Sequence, residues 1–190
     1  MVKNHLERFL NAFRSSFHPP IPYRGQNGRS WFVSRVWSDY MRAWLDKTFA
    51  HQELEYSRNL GGRRLDAALW FDSKVDRMNM GIALEWEWDH NKVCNQFPEG
   101  DFKKVLKVDA LSALAVVHTR EDGSKGTEQA EQTVARIRQS YLRNKIDDRP
   151  VGCMEIRRTF QDRSRVEFVW RFHNLNQGTA VEGERWPYPS

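Results

Sequence analysis

The sequence predicts an α/β protein in which helices flank a mixed central β-sheet, and three observations carry that expectation. The chain has 190 residues, 39% of them hydrophobic and 29% charged. That is enough to enclose one core and short for two, and the mixture suits a globular protein, not a disordered one. Apolar residues recur every three or four positions in some stretches and every second position in others. Their order is helix, helix, strand, strand, strand, helix, strand, helix, strand, strand. The runs at 64–71, 80–88 and 112–118 are apolar on both faces, as strands covered on both sides are.

Taken in order, Lys3 to Arg14 set Leu6, Phe9, Leu10 and Phe13 on one helical face. The stretch HPPIPYRGQNGR holds three prolines and two glycines, which makes it a connection and not an element. Ser30 can cap a second helix running to about Phe49. Its stripe of Val33, Val36, Trp37, Tyr40, Met41, Trp44 and Leu45 is wide enough to cover a sheet face. At helical spacing these aromatics read as core before they read as a base-stacking platform.

From His51 the period changes. A strand over Gln52–Tyr56, a turn at Asn59–Gly62 and a returning strand over Arg63–Phe71 form a hairpin. A loop carrying Asp72, Ser73 and Asp76 leads to the strand Met80–Trp88, which ends in EWEW. His90 to Gly100 is polar and irregular, a helix is expected over Asp101–Asp109, and Ser112–His118 is a buried strand. After a turn over Glu121–Gly126, Thr127 can cap a helix whose core stripe is Ala130, Val134, Ile137 and Tyr141. Acids lead that helix and arginines close it, as its dipole favours. Strands over Val151–Arg157 and Arg165–Phe172 finish the sheet. One domain results: an N-terminal helix and Pro/Gly-rich connection over 1–29, a core over 30–173, and a loosely docked tail over 174–190.

Charge and cysteine usage narrow the function classes. The formal net charge is +5 with a sequence pI near 9.4, a balance that mildly favours a polyanionic partner. Cys94 and Cys153 are the two cysteines, so neither a disulfide framework nor zinc-finger spacing is available and a reducing cytoplasm is the expected setting. No run approaches the length of a membrane span. The opening MVKNHLERFLNAF mixes acids and bases and lacks the uninterrupted apolar segment of a secretory signal. No Gly-rich phosphate loop and no Ser/His/Asp order stands out, and the histidines are scattered without metal spacing.

The informative anomaly is acid on apolar strands. Side chains alternate sides along a strand, so Gly81, Ala83, Glu85 and Glu87 share one face, with Ile82, Leu84, Trp86 and Trp88 opposite. In the preceding run Asp66, Ala68 and Trp70 lie opposite Leu65, Ala67, Leu69 and Phe71. A carboxylate on a covered face is costly unless it is paired or bound to a cation. Asp66, Glu85 and Glu87 are therefore a candidate cation site, preceded by small residues that leave room. The competing reading pairs Asp66 with Arg63 or Arg64 and makes the acids alternating with tryptophan an amphipathic edge. Asp89, His90 and Asn91 could mimic a metal cluster, but in a loop a polar turn is the expected reading.

With Asp66 in RRLDAALW, Glu85 and Glu87 in ALEWEW, and the helix–strand DFKKVLKVDALSALAVV after them, the chain resembles the PD-(D/E)XK nuclease superfamily. The resemblance covers roughly Glu53 to His118. It implies a restriction-endonuclease-like fold and a metal-dependent nuclease that hydrolyses phosphodiesters, DNA first, with Mg²⁺ or Mn²⁺ as cofactor. Asp66, Glu85 and the carbonyl of Trp86 would hold the cation. Asp66, Glu85, Glu87 and Lys104 would be the catalytic set. Glu87 stands where the family most often has lysine, in a Glu-x-Glu variant; Lys104, and after it Lys103, is the candidate for a lysine supplied by the neighbouring helix. Arg63, Arg64, Lys103 and Lys107 are candidate nucleic-acid contacts, with a solvated helix face the plainer reading of any one lysine. Arg157, Arg158, Arg163 and Arg165 around the last hairpin either meet phosphates or simply face water. A homodimer is left open, and no membrane partner is implied. Two other readings stay open: a catalytically silent nuclease fold serving as a DNA-binding or protein-interaction module, and an RNA-binding protein whose acids are structural.

Overall fold

The computed structural model describes residues 5–19, 23–24, 30–31, 34–52, 65–71, 80–121, 124–160 and 166–187. Helix α1 (His5–Ser16) opens the chain, and β1 (Tyr23–Arg24) pairs antiparallel with β2 (Ser30–Trp31) as a small ribbon. Helix α2 (Ser34–Thr48) then leads into β3 (Ala50–Gln52), β4 (Ala67–Trp70) and β5 (Ile82–Glu87). Helices α3 (His90–Asn95) and α4 (Asp101–Leu106) precede β6 (Ser112–Glu121). Helix α5 (Ser124–Asn144) is followed by β7 (Val151–Phe160), β8 (Val166–Asn174) and β9 (Thr179–Pro187).

Strands β3 to β9 form one seven-stranded sheet in chain order. Its two parallel steps, β5 to β6 and β6 to β7, are bridged by α3 with α4 and by α5, because a parallel neighbour requires a crossover. All other steps are antiparallel.

The alternation of side chains sorts the core into two layers. Ile82, Leu84, Trp86, Leu114, Val116, Met154, Ile156, Phe168 and Trp170 pack with Leu6, Phe9, Phe13, Trp37, Met41, Trp44 and Leu45 of α1 and α2. Phe13 alone stacks on Phe17 at 4.3 Å and meets Trp44 and Trp170 edge-on. The opposite face presents small residues, Ala68, Ala83, Ala113 and Ala115, to Val93, Phe102, Val105, Leu106, Ile137 and Tyr141 of α3 to α5 and to Phe97 in the turn between α3 and α4. Each buried large side chain contributes about 1.5–3 kcal/mol of apolar transfer free energy, so both faces must be covered. The alanines let α3 and α4 lie close to the strands that carry the acids.

Several elements differ from the sequence expectation. Ser30 belongs to β2 and α2 begins at Ser34, so the connection expected between the first two helices contains a paired ribbon. Val36 is 45% exposed, off the stripe its spacing gave it, which runs through Trp37, Met41, Trp44 and Leu45. His90–Asn95 is a helix where irregular chain was expected. Helix α4 ends at Leu106, not Asp109, and α5 begins three residues before Thr127, which therefore lies inside it. The tail expected from Asn174 instead contains β9, which continues the sheet beside β8. Its residues from Thr179 to Glu182 are exposed whichever face they take, which hid the strand, and a Cβ at Gly183 would collide with the Trp170 indole. Strand β3 (Ala50–Gln52) pairs antiparallel with β4 but meets the strand expected over Gln52–Tyr56 only at Gln52; the rest of that expected strand, its turn and the Asp72–Asp76 loop lie outside the described residues.

Candidate active site

The pairing of β4 with β5 sets Ala67 opposite Leu84 and Ala68 opposite Ala83. Continued by one residue, that register brings Asp66 opposite Glu85, and strand parity aims both at the face under α4. The Trp86 N–H donates to Asp66 Oδ2 at 2.9 Å, tying the acid to the neighbouring strand. Because the N–H and C=O of one strand residue leave on the same edge, the Trp86 carbonyl lies on Asp66's side. The indole of Trp86 points the other way, donating to Ser38 Oγ at 3.1 Å under the Arg42 guanidinium.

Glu85 is 3% exposed. Its carboxyl hydrogen-bonds the Asp66 carboxylate, and burial first, then the Asp66 charge, push its pKa up to about 9 despite Lys104. Glu85 thus carries the proton at neutral pH and donates it to Asp66. Asp66 is also raised by burial, against the pull of the Trp86 N–H, Glu85, Lys104 and Arg42.

Helix α4 delivers the cation. Lys104 Nζ lies 3.1 Å from Glu85 Oε1 and 2.9 Å from Asp101 Oδ1. Burial works against the ammonium, but Asp101 and Glu85 outweigh it and its pKa is raised. The lysine named from the sequence as supplied by a helix is therefore in contact with the strand acid. Lys103, the second candidate, turns outward to Glu99 at 2.7 Å, and Glu99 also binds Arg143. Lys107 is exposed just past α4, its N–H bonded to the Lys104 carbonyl. Arg63 and Arg64 lie outside the described residues.

Glu87 shares Glu85's face at the mouth of the site. Its Oε1 accepts the Asp89 N–H at 2.9 Å, and burial raises its pKa, with Asp89 and Asp101 adding to the rise. It is partly exposed. Just beyond it, His118 Nδ1 donates to the Trp88 carbonyl at 3.1 Å and pins the strand end. Burial and the charges of Arg158 and Arg120 hold that imidazole well below its ordinary pKa, so it is neutral.

Two contributors escaped the sequence reading. Asp101 was read only as a helix-start acid, although its i, i+3 spacing to Lys104 is an available pairing signal. Arg149 donates to the carbonyls of Val105, Leu106, Val108 and Ala110, closing the α4 C-terminus; no local spacing announces a contact so distant in sequence. Arg157 and Arg158 are buried, 3% and 9% exposed, and do not form a solvated hairpin; Arg163 and Arg165 lie outside the described residues. Among the described residues, no group of three or more His, Cys, Asp and Glu side chains is arranged to hold a metal ion.

Fold and site together define a class: an α/β protein with a seven-stranded mixed sheet, helices on both faces, and a buried carboxyl pair met by a helix-borne lysine. Comparison with family models, curated proteins and solved structures gives no match.

Proposed function

We propose that this protein is a metal-dependent nuclease of the restriction-endonuclease-like type, hydrolysing phosphodiesters of DNA. The observation that carries the reading is the meeting of Lys104 with Glu85 beside Asp66 on one covered face. A fold needs no such cluster for stability, since desolvating it costs more than apolar residues there would.

The donor set suits Mg²⁺ or Mn²⁺. Both favour oxygen ligands, and one or two carboxylates plus substrate phosphate commonly suffice. Asp66 and Glu85 would hold the ion with the Trp86 carbonyl, once Glu85 has given its proton to solvent. When bound, such an ion offsets charge on the phosphoryl oxygens and acidifies water. Lys104, freed from Glu85 by that exchange, would reach a non-bridging phosphate oxygen and neutralise developing charge. Glu87, partly exposed with a raised pKa, would accept the proton of the attacking water. Lys107 would draw the backbone in without touching the scissile bond.

A second reading, a silent module of the same fold, draws on one feature: Lys104 is already engaged by both Glu85 and Asp101. Cleavage decides between them. Single-stranded, double-stranded and structured DNA and RNA should be tested with Mg²⁺, Mn²⁺ and chelator, with Lys104→Ala as the control. Cation-dependent cutting that Lys104→Ala loses supports the enzyme; inert wild type on every substrate supports the module.

A further inference from the structure

A second polar site lies on the same face of the sheet, on the far side of α5. Residues Glu131, Val134, Ala135 and Arg138 recur at i, i+3, i+4 and i+7 and form one flank of that helix. The other flank faces α3 and α4: Thr133 meets Cys94, Ser140 donates to the Pro98 carbonyl, and Arg143 binds Glu99. Helix α5 thus separates the first flank from the carboxyl pair. Between that flank and β7 and β8 is a cavity of about 240 Å³, lined also by Arg157, Arg171 and His173.

The chemistry of this cavity is one of surplus donors. Glu155, 0% exposed, sits behind it as a fixed anion: it accepts from Thr119 Oγ1 at 2.6 Å and from Arg157 through Nε at 3.0 Å and Nη2 at 3.3 Å, which leaves Nη1 of that guanidinium over, with His173 Nε2 at 3.1 Å. Those contacts lock Arg157 and His173 in place and satisfy the carboxylate. Arg171 lies directly across from Glu155 in the β7–β8 register and gives one nitrogen to Glu182 at 3.3 Å. Its Nε is buried without a hydrogen-bond partner among the described residues. Arg138 rests its guanidinium on Gly178, whose φ of 72° and missing side chain make the space. A guanidinium offers five donors and no acceptor, so three of them leave N–H groups that the local carboxylates do not consume.

We propose that this cavity binds the phosphate group of a small molecule, its oxygens received by Arg138, Arg157 and Arg171. Guanidinium forks match phosphate geometry and outperform lysine there. The volume suits a phosphate with a few attached atoms, below the usual range of drug-sized sites, about 300–1,000 Å³. The inference does not depend on the nuclease reading, since it uses none of that site's residues.

The test is calorimetric titration of the full chain with inorganic phosphate, then with a nucleoside monophosphate and a short single-stranded oligonucleotide lacking terminal phosphates. Arg138→Ala and Arg171→Ala should each weaken phosphate binding at least about tenfold, the scale of one charge-assisted contact; Lys47→Ala, on exposed α2 surface, should not. Circular dichroism confirms that the variants are folded, and Arg138 is exposed enough to replace without disturbing the core. Phosphate or the monophosphate binding at least as tightly as the oligonucleotide, with loss in Arg138→Ala, upholds the proposal. Tighter binding of the oligonucleotide through the same arginines would overturn the small-molecule assignment in favour of a backbone phosphate. Absence of phosphate binding by wild type, or equal binding by Arg138→Ala and wild type, would overturn the site altogether.

Discussion

Replacing Glu85 by glutamine should stabilise the protein at neutral pH, the opposite of what a merely structural acid would do. In the native state burial and Asp66 hold the Glu85 pKa up at about 9, against an ordinary 4.5. The folded protein therefore keeps a proton that the unfolded chain releases. Stability from this group is full below the ordinary value and falls as pH rises toward the shifted one. The loss is about 1.4 kcal/mol per pH unit across that window, which gives about 3 kcal/mol at pH 7. Glutamine can still donate to Asp66 and accept from Lys104 but has nothing to ionise. In a domain of this size each kcal/mol moves the midpoint roughly 2–4 °C, so Glu85→Gln should melt roughly 6–12 °C higher at pH 7 and nearly with wild type at pH 4.5. Calorimetric melts of both proteins across pH 4.5–9 measure the difference, and subtraction removes His118 and the other acids. A difference independent of pH, or a less stable variant, would refute the shared-proton account. Gain of stability with loss of chemistry is the usual trade at functional sites.

The other expectations bear on the elements around that pair. Lys104→Ala should lower the cleavage rate at least about a hundredfold, the scale for one electrostatic contact to the transition state, while Lys107→Ala should mainly weaken binding and flatten its salt dependence; equal, small effects would remove the helix lysine from the mechanism. Arg149→Ala frees the carbonyls at the α4 C-terminus and should cost about 2–3 kcal/mol in urea unfolding, the scale of charge-assisted hydrogen bonds. Gly183→Val forces β9 off the Trp170 indole and should cost about 1–3 kcal/mol by overpacking; an unchanged midpoint would show that β9 does not dock there.

The parts of this molecule legible in the sequence are those where burial writes a pattern. Parity along β5 separated Glu85 and Glu87 from Trp86 and Trp88, and the structure keeps that division. The stripes of α1 and α5 give buried Phe9, Phe13, Ala130, Ile137 and Tyr141. Lys104 was reached through the family resemblance, which implies a lysine supplied by the neighbouring helix, and α4 does bring it to Glu85. What stayed hidden is what local pattern does not encode. Strand β9 alternates weakly because positions of both parities along it are exposed, and α3 is too short and polar to display a stripe. The Arg149 clamp and the Glu155 cluster depend on partners tens of residues apart, set by the order of strands in the sheet.

Cation binding coupled to proton release tests the central claim most directly. Mn²⁺ titrated into the protein at pH 7, in buffers of different ionisation enthalpy, reports both affinity and protons displaced. The account predicts a site that releases roughly one proton per ion, the one Glu85 holds, and whose affinity rises with pH. Asp66→Asn and Glu85→Gln should each abolish it. Indifference of wild type to millimolar Mn²⁺, or binding that releases no proton and survives Glu85→Gln, would contradict it.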